Sequence, residues 1–434
     1  MGAPIGPEDQ RRSDEHLEEL ARLADTAGAE VVATVRQRLQ KPDSRYYIGK
    51  GKALELEEVA RRHEAELVIF DEELKPDQGK SLEELLGVRV MDRSELILDI
   101  FASRARTREA KLQVELAQLQ YLLPRLKRMW THLSRTRGGI GLRGPGETQL
   151  ETDRRLIGTR IADLRKKLEA VGRAHATRRQ GRAQEFRVAL VGYTNAGKSS
   201  LLRALSGDDL FVEDRLFATL DSATRAIDLG DGHQALLTDT VGFIRKLPHH
   251  LVASFRSTLE EAREADLLLH VVDASHEEWE EQSRVVDQVL ADLELDERPQ
   301  ITVFNKMDRL THAEEKALRE RIRGLGERSA VFTSAHDPQR LVELGETLRA
   351  RLRAELSEVR VQVPPEDGET LARLHREGEV LEMNGDGGAI DVTARVRPDL
   401  VGRLRKRKGV RVRSHNEVAA SSEREDSSSP PGSP

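Results

Sequence analysis

The sequence predicts an α/β protein built of several domains, and three observations support this prediction. Short apolar strands alternate with amphipathic helices in residues 14–97 and again in residues 181–355, a pattern typical of sheets covered by helices. Between these parts, residues 98–180 carry leucine and isoleucine at the spacing of two packed helices. The chain has 434 residues, which is long enough for each part to have its own core.

The composition limits the kinds of protein that this chain can be. No stretch of about 18 apolar residues occurs, so we expect no membrane span. Cysteine is absent, which excludes disulfides and thiolate metal sites and is typical of the reducing cytoplasm, where we expect a monomer. The net charge is −6, but residues 101–190 hold 21 Lys and Arg against 8 Asp and Glu. This positive segment favours a polyanionic partner, although a solvated helix face is the simpler explanation.

Residues 14–97 predict a small N-terminal α/β domain after a disordered start at residues 1–13. Its expected elements are, in order, a helix through Leu23, a strand over residues 30–35, a helix through Arg62, the strand Leu67–Phe70, a helix near residues 82–86 and a strand over residues 88–91.

Two short motifs in this domain could carry chemistry. The turn Gly49-Lys50-Gly51-Lys52 could bind phosphate, but an ordinary helix start is the more common use of such a turn. Phe70-Asp71-Glu72-Glu73 could hold a metal for an ATP-driven activity of the domain on RNA. Carboxylates at a helix start are the simpler interpretation, because no second phosphate loop accompanies them.

Residues 98–180 predict an antiparallel helical hairpin. Apolar side chains recur at spacings of four and three residues in two runs, which are Leu112, Leu116, Leu119, Leu123 and Leu126, and then Ile157, Ile161, Leu164, Leu168 and Val171. The loop between them, residues 138–147, is rich in glycine and is flanked by Arg135, Arg137 and Arg143. Flexible glycines beside arginines suit contact with an RNA backbone, and Trp130 could stack on a base. A loop without a partner is the alternative.

A phosphate-binding loop begins the third part, residues 181–355. The apolar strand Phe186–Gly192 leads into Gly192-Tyr-Thr-Asn195-Ala196-Gly197-Lys198-Ser199, and a helix follows from Ser200. The glycines allow backbone N–H groups to surround phosphate oxygens, the helix N-terminus adds partial positive charge, and Lys198 adds a full one. This chemistry requires the order strand, loop, helix, so we predict a nucleotide site here.

Three further segments complete the predicted site, and two of them indicate that the nucleotide carries guanine. Asn305-Lys306-Met307-Asp308 follows an apolar strand, and the Asp308 carboxylate can accept from N1–H and the 2-amino group of guanine, a donor pair that adenine lacks. Asp239-Thr240-Val241-Gly242 ends another strand, so that Asp239 would face Mg²⁺ and the Gly242 N–H would face the γ-phosphate. Ser334-Ala335 ends a third, where the Ala335 N–H could meet guanine O6. Such sheets bind ligands at the carboxyl ends of their strands.

The last part, residues 356–414, predicts a small C-terminal α+β domain. It has expected strands at residues 359–363 and 389–396 around a helix at residues 369–377, and a basic run from Arg403 to Arg413 follows. The polar residues 415–434 should form a disordered tail.

Motifs in every part but the last resemble those of one family. They are Gly192-Tyr-Thr-Asn195, Phe217-Ala218-Thr219-Leu220-Asp221, residues 239–244 and, most specifically, residues 143–155, with residues 92–101 and 111–119 in support. In these motifs, and over about residues 15–410, the chain resembles the HflX-type ribosome-associated GTPases. The resemblance implies a glycine-rich hairpin, a Ras-like P-loop GTPase domain with GTP as substrate, and binding to the large ribosomal subunit and its RNA. Members of that family can separate stalled ribosomes into subunits.

The resemblance also implies roles for individual residues. Lys198 would hold the β- and γ-phosphates, Ser199 and Thr219 would ligate Mg²⁺, and Asp239 would support the metal through water. Gly242 would sense the γ-phosphate, so the catalytic roles fall to Lys198, Thr219 and Gly242. Asn195 could help to coordinate K⁺ beside the phosphates, or merely shape the loop. The implied nucleotide contacts further include Ala196, Ser200, Phe217, Ala218, Leu220, Thr240 and Val241.

Three features depart from these patterns. Phe243 stands where Ras-like enzymes place a water-orienting glutamine, so we expect slow intrinsic hydrolysis that a partner accelerates, although Phe243 could also simply pack. Ser222 follows Asp221 where the family usually has proline, and residues 1–13 lack a first apolar strand for the N-terminal sheet. A second function stays open, a nucleotide-gated ribosome assembly or storage factor in which hydrolysis is secondary.

Overall fold

A computed structural model describes residues 1–5, 12–129, 145–180, 185–208, 215–230, 233–247, 261–325, 329–385 and 388–414 of the chain. It confirms the multidomain α/β fold class, with a two-stranded parallel sheet, a six-stranded sheet and a four-stranded antiparallel sheet, each accompanied by helices. Within these ranges no helix is both long enough and apolar enough to cross a membrane.

The N-terminal domain packs helices against one parallel strand pair. Its elements are α1 (Ser13–Thr26), α2 (Gly49–Arg62), β1 (Leu67–Phe70), α3 (Pro76–Leu86), β2 (Arg89–Asp92) and α4 (Arg93–Arg104). Proline occupies the first turn of α3, and the helix ends at Gly87, whose φ of +68° suits glycine. Asp92 caps α4, because its Oδ1 accepts a 2.9 Å hydrogen bond from the Glu95 N–H. The predicted helices and the strands β1 and β2 are therefore confirmed.

The predicted strand over residues 30–35 is wrong. Among the described residues this segment has no ladder partner, and Val31 and Val32 are about half exposed. A cavity of about 520 Å³ has both this segment and residues 67–69 of β1 in its walls. The β-branched composition is that of a strand, but a strand also needs a neighbouring backbone at hydrogen-bonding distance.

The predicted disorder at residues 1–13 is wrong for the first five residues. Met1 and Ala3 are buried, the Gly2 N–H donates to Val35 O at 3.0 Å, and the Asp71 N–H donates to Met1 O at 2.9 Å. Backbone hydrogen bonds to residues more than 30 positions away hold this stretch, and no local sequence pattern reveals such partners. Residues 6–11 lie outside the described residues.

The helical hairpin is confirmed. It consists of α5 (Arg108–Met129) and α6 (Pro145–Gln180). Leu116, Ile161 and Leu164 form its buried centre, and Leu112, Leu119, Leu123, Ile157 and Leu168 pack against them. The glycine-rich residues 138–144 and Trp130 lie outside the described residues.

The central domain is a six-stranded sheet in the order β4-β5-β3-β6-β7-β8. The strands are β3 (Phe186–Gly192), β4 (Ala223–Gly230), β5 (His233–Asp239), β6 (Leu267–Asp273), β7 (Gln300–Asn305) and β8 (Ala330–Phe332). All neighbours are parallel except β4 and β5. Its helices are α7 (Lys198–Ser206), α8 (Trp279–Asp292), α9 (His312–Gly324) and α10 (Pro338–Glu355). β6 is buried along its whole length, as expected for a strand with both faces covered.

The C-terminal domain is a four-stranded antiparallel sheet in the order β10-β11-β9-β12. Its elements are β9 (Ser357–Val363), α11 (Gly368–Glu377), β10 (Gly378–Gly385), β11 (Ile390–Val396), α12 (Pro398–Arg405) and β12 (Arg411–Ser414). The predicted helix and two strands are confirmed, while β10, α12 and β12 were not foreseen. Leu381 and Met383 of β10 are exposed, so apolar residues in this strand do not mark a buried face as they do in a typical strand.

Candidate nucleotide-binding site

The phosphate-binding loop joins β3 to α7, and its two glycines are sterically required. Gly192 has φ of +151°, and a Cβ at this position would lie 2.3 Å from Val271 O. Gly197 has φ of +94°, and a Cβ there would lie 2.2 Å from Asn305 Nδ2. Asn195 also adopts a positive φ, +60°. The loop therefore has the tight left-handed turns that aim backbone N–H groups into its concave side.

Lys198 lies buried beneath this loop. Its Nζ donates to Gly192 O at 3.1 Å and to Tyr193 O at 2.9 Å. Burial lowers the pKa of Lys198 to about 8, and the Asp239 carboxylate opposes this effect. A phosphate group would supply the negative charge that this desolvated ammonium lacks.

Three oxygen-bearing side chains meet beside Lys198. The Ser199 Oγ lies 2.6 Å from the Thr219 Oγ1 and donates to Asp239 Oδ2 at 2.5 Å. Asp239 Oδ1 is buried and has no hydrogen-bond partner among the described residues. Burial raises the pKa of Asp239, whereas Lys198 and the two hydroxyls lower it. Two hydroxyls and a carboxylate with an unsatisfied oxygen are a hard-ligand set that fits Mg²⁺.

The predicted base-recognition end lies at the carboxyl ends of β7 and β8. Asn305 Nδ2 donates to Ala196 O at 2.9 Å, and its Oδ1 accepts from the Ala335 N–H at 3.2 Å. The side chain of Asn305 thus ties the phosphate loop to the segment after β8. Asp308 is exposed, and the Ser334 hydroxyl donates to its Oδ1, which leaves the carboxylate edge available to a base.

Lys306 has a partner that sequence reasoning missed. Its Nζ donates to Asp273 Oδ2 at 2.7 Å, and Asp273 is the last residue of β6. Only its place at the end of an apolar strand could have indicated Asp273. A cavity of about 680 Å³ lies beside these groups, with Asn195, Gly197, Ser200, Asn305, Lys306 and Ala335 in its wall.

The segment after β5 packs tightly against the phosphate loop. A Cβ on Gly242 would lie 2.7 Å from Thr194 Cα and 3.0 Å from Lys198 Nζ, so glycine is required here too. Phe243 is buried; its N–H donates to Gly192 O at 3.0 Å and its O accepts from the Thr194 N–H at 2.7 Å. Its ring belongs to the apolar core, as the packing interpretation expects.

The remaining predicted contacts surround the same centre. Thr240 is buried and donates through its hydroxyl to Leu190 O at 2.6 Å. Phe217 and Ala218 line a small cavity around Lys198 and Ser199, and the Phe217 N–H donates to Thr194 Oγ1 at 2.9 Å. Val241 and Leu220 are buried in the neighbouring core. The structure therefore gathers the predicted nucleotide contacts around the phosphate loop and the adjoining core, whereas the predicted RNA contacts at Trp130 and residues 135–143 lie outside the described residues.

The acidic stretch of the N-terminal domain forms ion pairs with basic side chains of the protein. Asp71 accepts from Arg93 at 2.8 Å, Arg245 at 3.0 Å and Lys246 at 2.8 Å. Across the described ranges no group of three His, Cys, Asp or Glu side chains could hold a metal. The Gly49-Lys50-Gly51-Lys52 turn is the first turn of α2, the simpler of its two interpretations.

Comparisons with known proteins agree with this geometry. Family profiles described as GTP-binding GTPase N-terminal, GTP-binding GTPase Middle Region and 50S ribosome-binding GTPase match residues 14–102, 104–182 and 187–306. The GTPase HflX of Caldanaerobacter subterraneus subsp. tengcongensis is 47% identical over 401 residues, which cover 92% of this chain and 90% of that protein. The GTPase HflX of Magnetococcus marinus is 46% identical, with 91% and 92% covered, and that of Escherichia coli is 44% identical, with 87% and 89% covered.

The phosphate loop, the cluster of oxygen-bearing side chains beside Lys198 and the segments predicted to meet the base thus stand in a chain that matches these relatives along nearly its whole length. The chain belongs to the HflX family of GTPases and hydrolyses GTP.

Proposed function

We propose that this GTPase binds the large ribosomal subunit in its GTP-bound form and separates or recycles stalled ribosomes under stress. The observation that carries the proposal is the position of Thr219, whose hydroxyl lies 2.6 Å from that of Ser199. In this position the segment around Thr219 closes over the phosphate end of the site. The match of residues 187–306 to the 50S ribosome-binding GTPases supports the choice of partner, as does the basic hairpin. We place this activity in the cytoplasm.

The residues of the site suggest how binding and hydrolysis proceed. Lys198 would exchange its two carbonyl partners for phosphate oxygens, and Ser199, Thr219 and, through water, Asp239 would hold Mg²⁺. The metal supplies charge neutralisation for the phosphate oxygens. The N–H of Gly242 would contact the γ-phosphate. Loss of that phosphate removes the contacts of Thr219 and Gly242, so both segments are released after hydrolysis.

Hydrolysis should be slow without a partner. The position after Gly242 holds the buried ring of Phe243, which has no group to orient the attacking water. Turnover measured with and without purified ribosomal subunits tests this point. We expect the large subunit to raise kcat, and equal rates would contradict the proposal.

The choice of partner has its own experiment. Purified ribosomal subunits are sedimented with the protein in GDP or in a non-hydrolysable GTP analogue. We expect association with the large subunit that strengthens in the analogue. Equal association in GDP and in the analogue would contradict the proposal.

The alternative, an assembly or storage factor, makes a different prediction for a hydrolysis-deficient protein. An Asp239 or Ser199 variant should still bind ribosomes under the proposed function but fail to be released and recycled. Splitting of intact ribosomes by wild-type protein and GTP, followed on sucrose gradients, supports the recycling role. Unsplit ribosomes would leave the assembly or storage role as the better account.

The position of Asn195 suits a ligand of a monovalent cation beside the phosphates. Its backbone has φ of +60°, and the residue lines both the large cavity and the small one around Lys198. We infer that its side chain helps to hold K⁺ there, which would add positive charge where hydrolysis develops negative charge. Replacing K⁺ by Na⁺ should slow hydrolysis, and unchanged activity would exclude this role.

A further inference from the structure

The switch segment, residues 217–221, is held from outside the central domain. Phe217 and Leu220 are buried in an apolar core that also contains Phe101 of α4 and Ala110 of α5. The rings of Phe217 and Phe101 meet edge to face with centroids 4.7 Å apart. Phe217 keeps a φ of +54°, which is unfavourable for a bulky side chain, so its surroundings hold it there.

A second contact lies at the other end of the switch segment. The Asp221 carboxylate accepts hydrogen bonds from the Arg106 N–H at 3.0 Å, the Thr107 N–H at 3.2 Å and the Thr107 hydroxyl. These donors precede α5, and the Thr107 hydroxyl in turn accepts from the Ala110 N–H at 3.1 Å. A carboxylate is favoured here, because it lies beside the N-terminus of α5, which carries partial positive charge.

Thr219 therefore lies between two fixed points. Phe217 fixes the chain two residues before it and Asp221 two residues after it, and both contacts belong to the region that leads into the helical hairpin. Between them the Thr219 hydroxyl is 2.6 Å from that of Ser199. Loss of the Asp221 contact would free one end of the segment without touching the nucleotide site itself.

We propose that Asp221 is a positioning residue for GTP binding, which holds Thr219 over the predicted metal end of the site through its hydrogen bonds to Arg106 and Thr107 just before α5. This inference rests on the proposed function, because it takes Thr219 as a ligand of Mg²⁺ in the GTP state. GDP does not require that ligand, since the closed segment is needed for the γ-phosphate. The preference of the protein for GTP over GDP should therefore depend on Asp221, a residue that touches neither nucleotide nor metal.

The test compares affinities for GDP and for a non-hydrolysable GTP analogue, both with Mg²⁺, in the full-length protein. Asp221→Ala should weaken analogue binding about tenfold, the effect of a lost charge-assisted contact, and change GDP binding less than about twofold. Asp228→Ala is the matched control, because the Asp228 carboxylate accepts from the Gly230 N–H of its own turn, at 2.8 Å. It should change neither affinity.

Thr107 provides a second measurement of the same contact. Thr107→Ala should weaken analogue binding, and Thr107→Ser should retain it. Because both residues belong to one contact, the double variant Asp221→Ala/Thr107→Ala should bind the analogue no less tightly than the single variant with the lower affinity. An unchanged analogue affinity in Asp221→Ala, or an equal loss for both nucleotides, would overturn the inference.

Thr219→Ala separates this outcome from a failure of the proposed function. If Thr219→Ala leaves analogue binding intact, the metal role of Thr219 is wrong; if it weakens binding while Asp221→Ala does not, only the positioning role is wrong.

Discussion

At the scale of single residues, His270 shows how burial sets charge in the central sheet. It lies in β6, its Nδ1 is 3.2 Å from Gln300 Nε2, and it is 3.8 Å from the exposed Asp287 carboxylate. Burial, with a smaller contribution from Lys198, lowers the pKa of His270 to about 4. The imidazole is therefore neutral at pH 7, and its contact with Asp287 is not an ion pair.

This pKa shift predicts a specific loss of stability in acid. In the unfolded chain a histidine takes up a proton near pH 6.5, but folded His270 does not do so until about pH 4. Its contribution is complete above pH 6.5 and is lost as the pH falls towards 4, by about 1.4 kcal/mol per pH unit. Urea unfolding of wild type and His270→Asn at pH 7.5 and 5.5 should show a pH-dependent loss about 1 kcal/mol smaller in the variant. The exposed His375→Asn should match wild type, and equal losses in all three proteins would refute the prediction.

The site residues that sequence reasoning located are those with a fixed place relative to a strand. Lys198, Asp239 and Asp308 each follow a strand at a set distance, so their positions at the sheet edge follow from topology. The same reasoning did not predict that Asp273 and Asp221 bind other side chains. Their contacts, Lys306 and Thr107, are 33 and 114 residues away in the chain, and no local pattern indicates such pairs.

At the scale of elements, the hairpin depends on few buried side chains. Leu164 of α6 is fully buried between the helices, whereas Leu156 of the same helix is 60% exposed. Leu164→Ala should destabilise the hairpin by about 2–4 kcal/mol, because it removes packing that cannot be replaced from elsewhere. Leu156→Ala should cost less than about 0.5 kcal/mol. Hydrogen exchange of α5 and α6 measures both effects. Similar exchange in the two variants would show that the apolar contact between α5 and α6 does not stabilise the hairpin.

Whether the prediction for an element was correct depends on whether its sequence pattern is local or requires a partner strand. The hairpin was predictable because its apolar spacing repeats over several turns in both helices. The segment 30–35 has strand composition but forms no ladder with a strand in the described ranges, and β12 is a short basic strand that depends on β9 beside it. Pairing between strands is a tertiary property, so composition alone misjudged both.

At the scale of the whole molecule, buried charges join the N-terminal and central domains. Arg93 is fully buried and pairs with Glu19 and Asp71. Arg245 contacts the same two carboxylates from the segment that follows Gly242. Burial alone would raise the pKa of Asp71, but Arg93, Arg245 and Lys246 hold it well below its usual range. The Tyr193 hydroxyl of the phosphate loop donates to Glu19, so the cluster touches the nucleotide site directly.

Removing the central cation should therefore be costly. Arg93→Met leaves Glu19 and Asp71 buried with too little positive charge, and we expect a loss of about 3–5 kcal/mol in the free energy of unfolding. The matched control is Arg89→Met, whose surface pair with Glu95 should contribute at most about 1 kcal/mol. Urea unfolding of both variants measures the difference. A loss for Arg93→Met no larger than that of the control would contradict the role of the cluster. The partners in this cluster are up to 226 residues apart, as for Glu19 and Arg245, which is why the sequence alone did not indicate that the acidic stretch pairs with cations.

The central claim, that one guanine nucleotide site governs this molecule, is tested most directly by titration calorimetry of the purified protein with GTP and with ATP in Mg²⁺ and K⁺. The Asp308 carboxylate lies exposed at the base-recognition end, where guanine offers two donors and adenine does not. We predict that GTP binds tighter than ATP by about 100-fold or more, since a site built to accept those donors rejects a base that lacks them. Equal affinity for the two nucleotides would contradict the account.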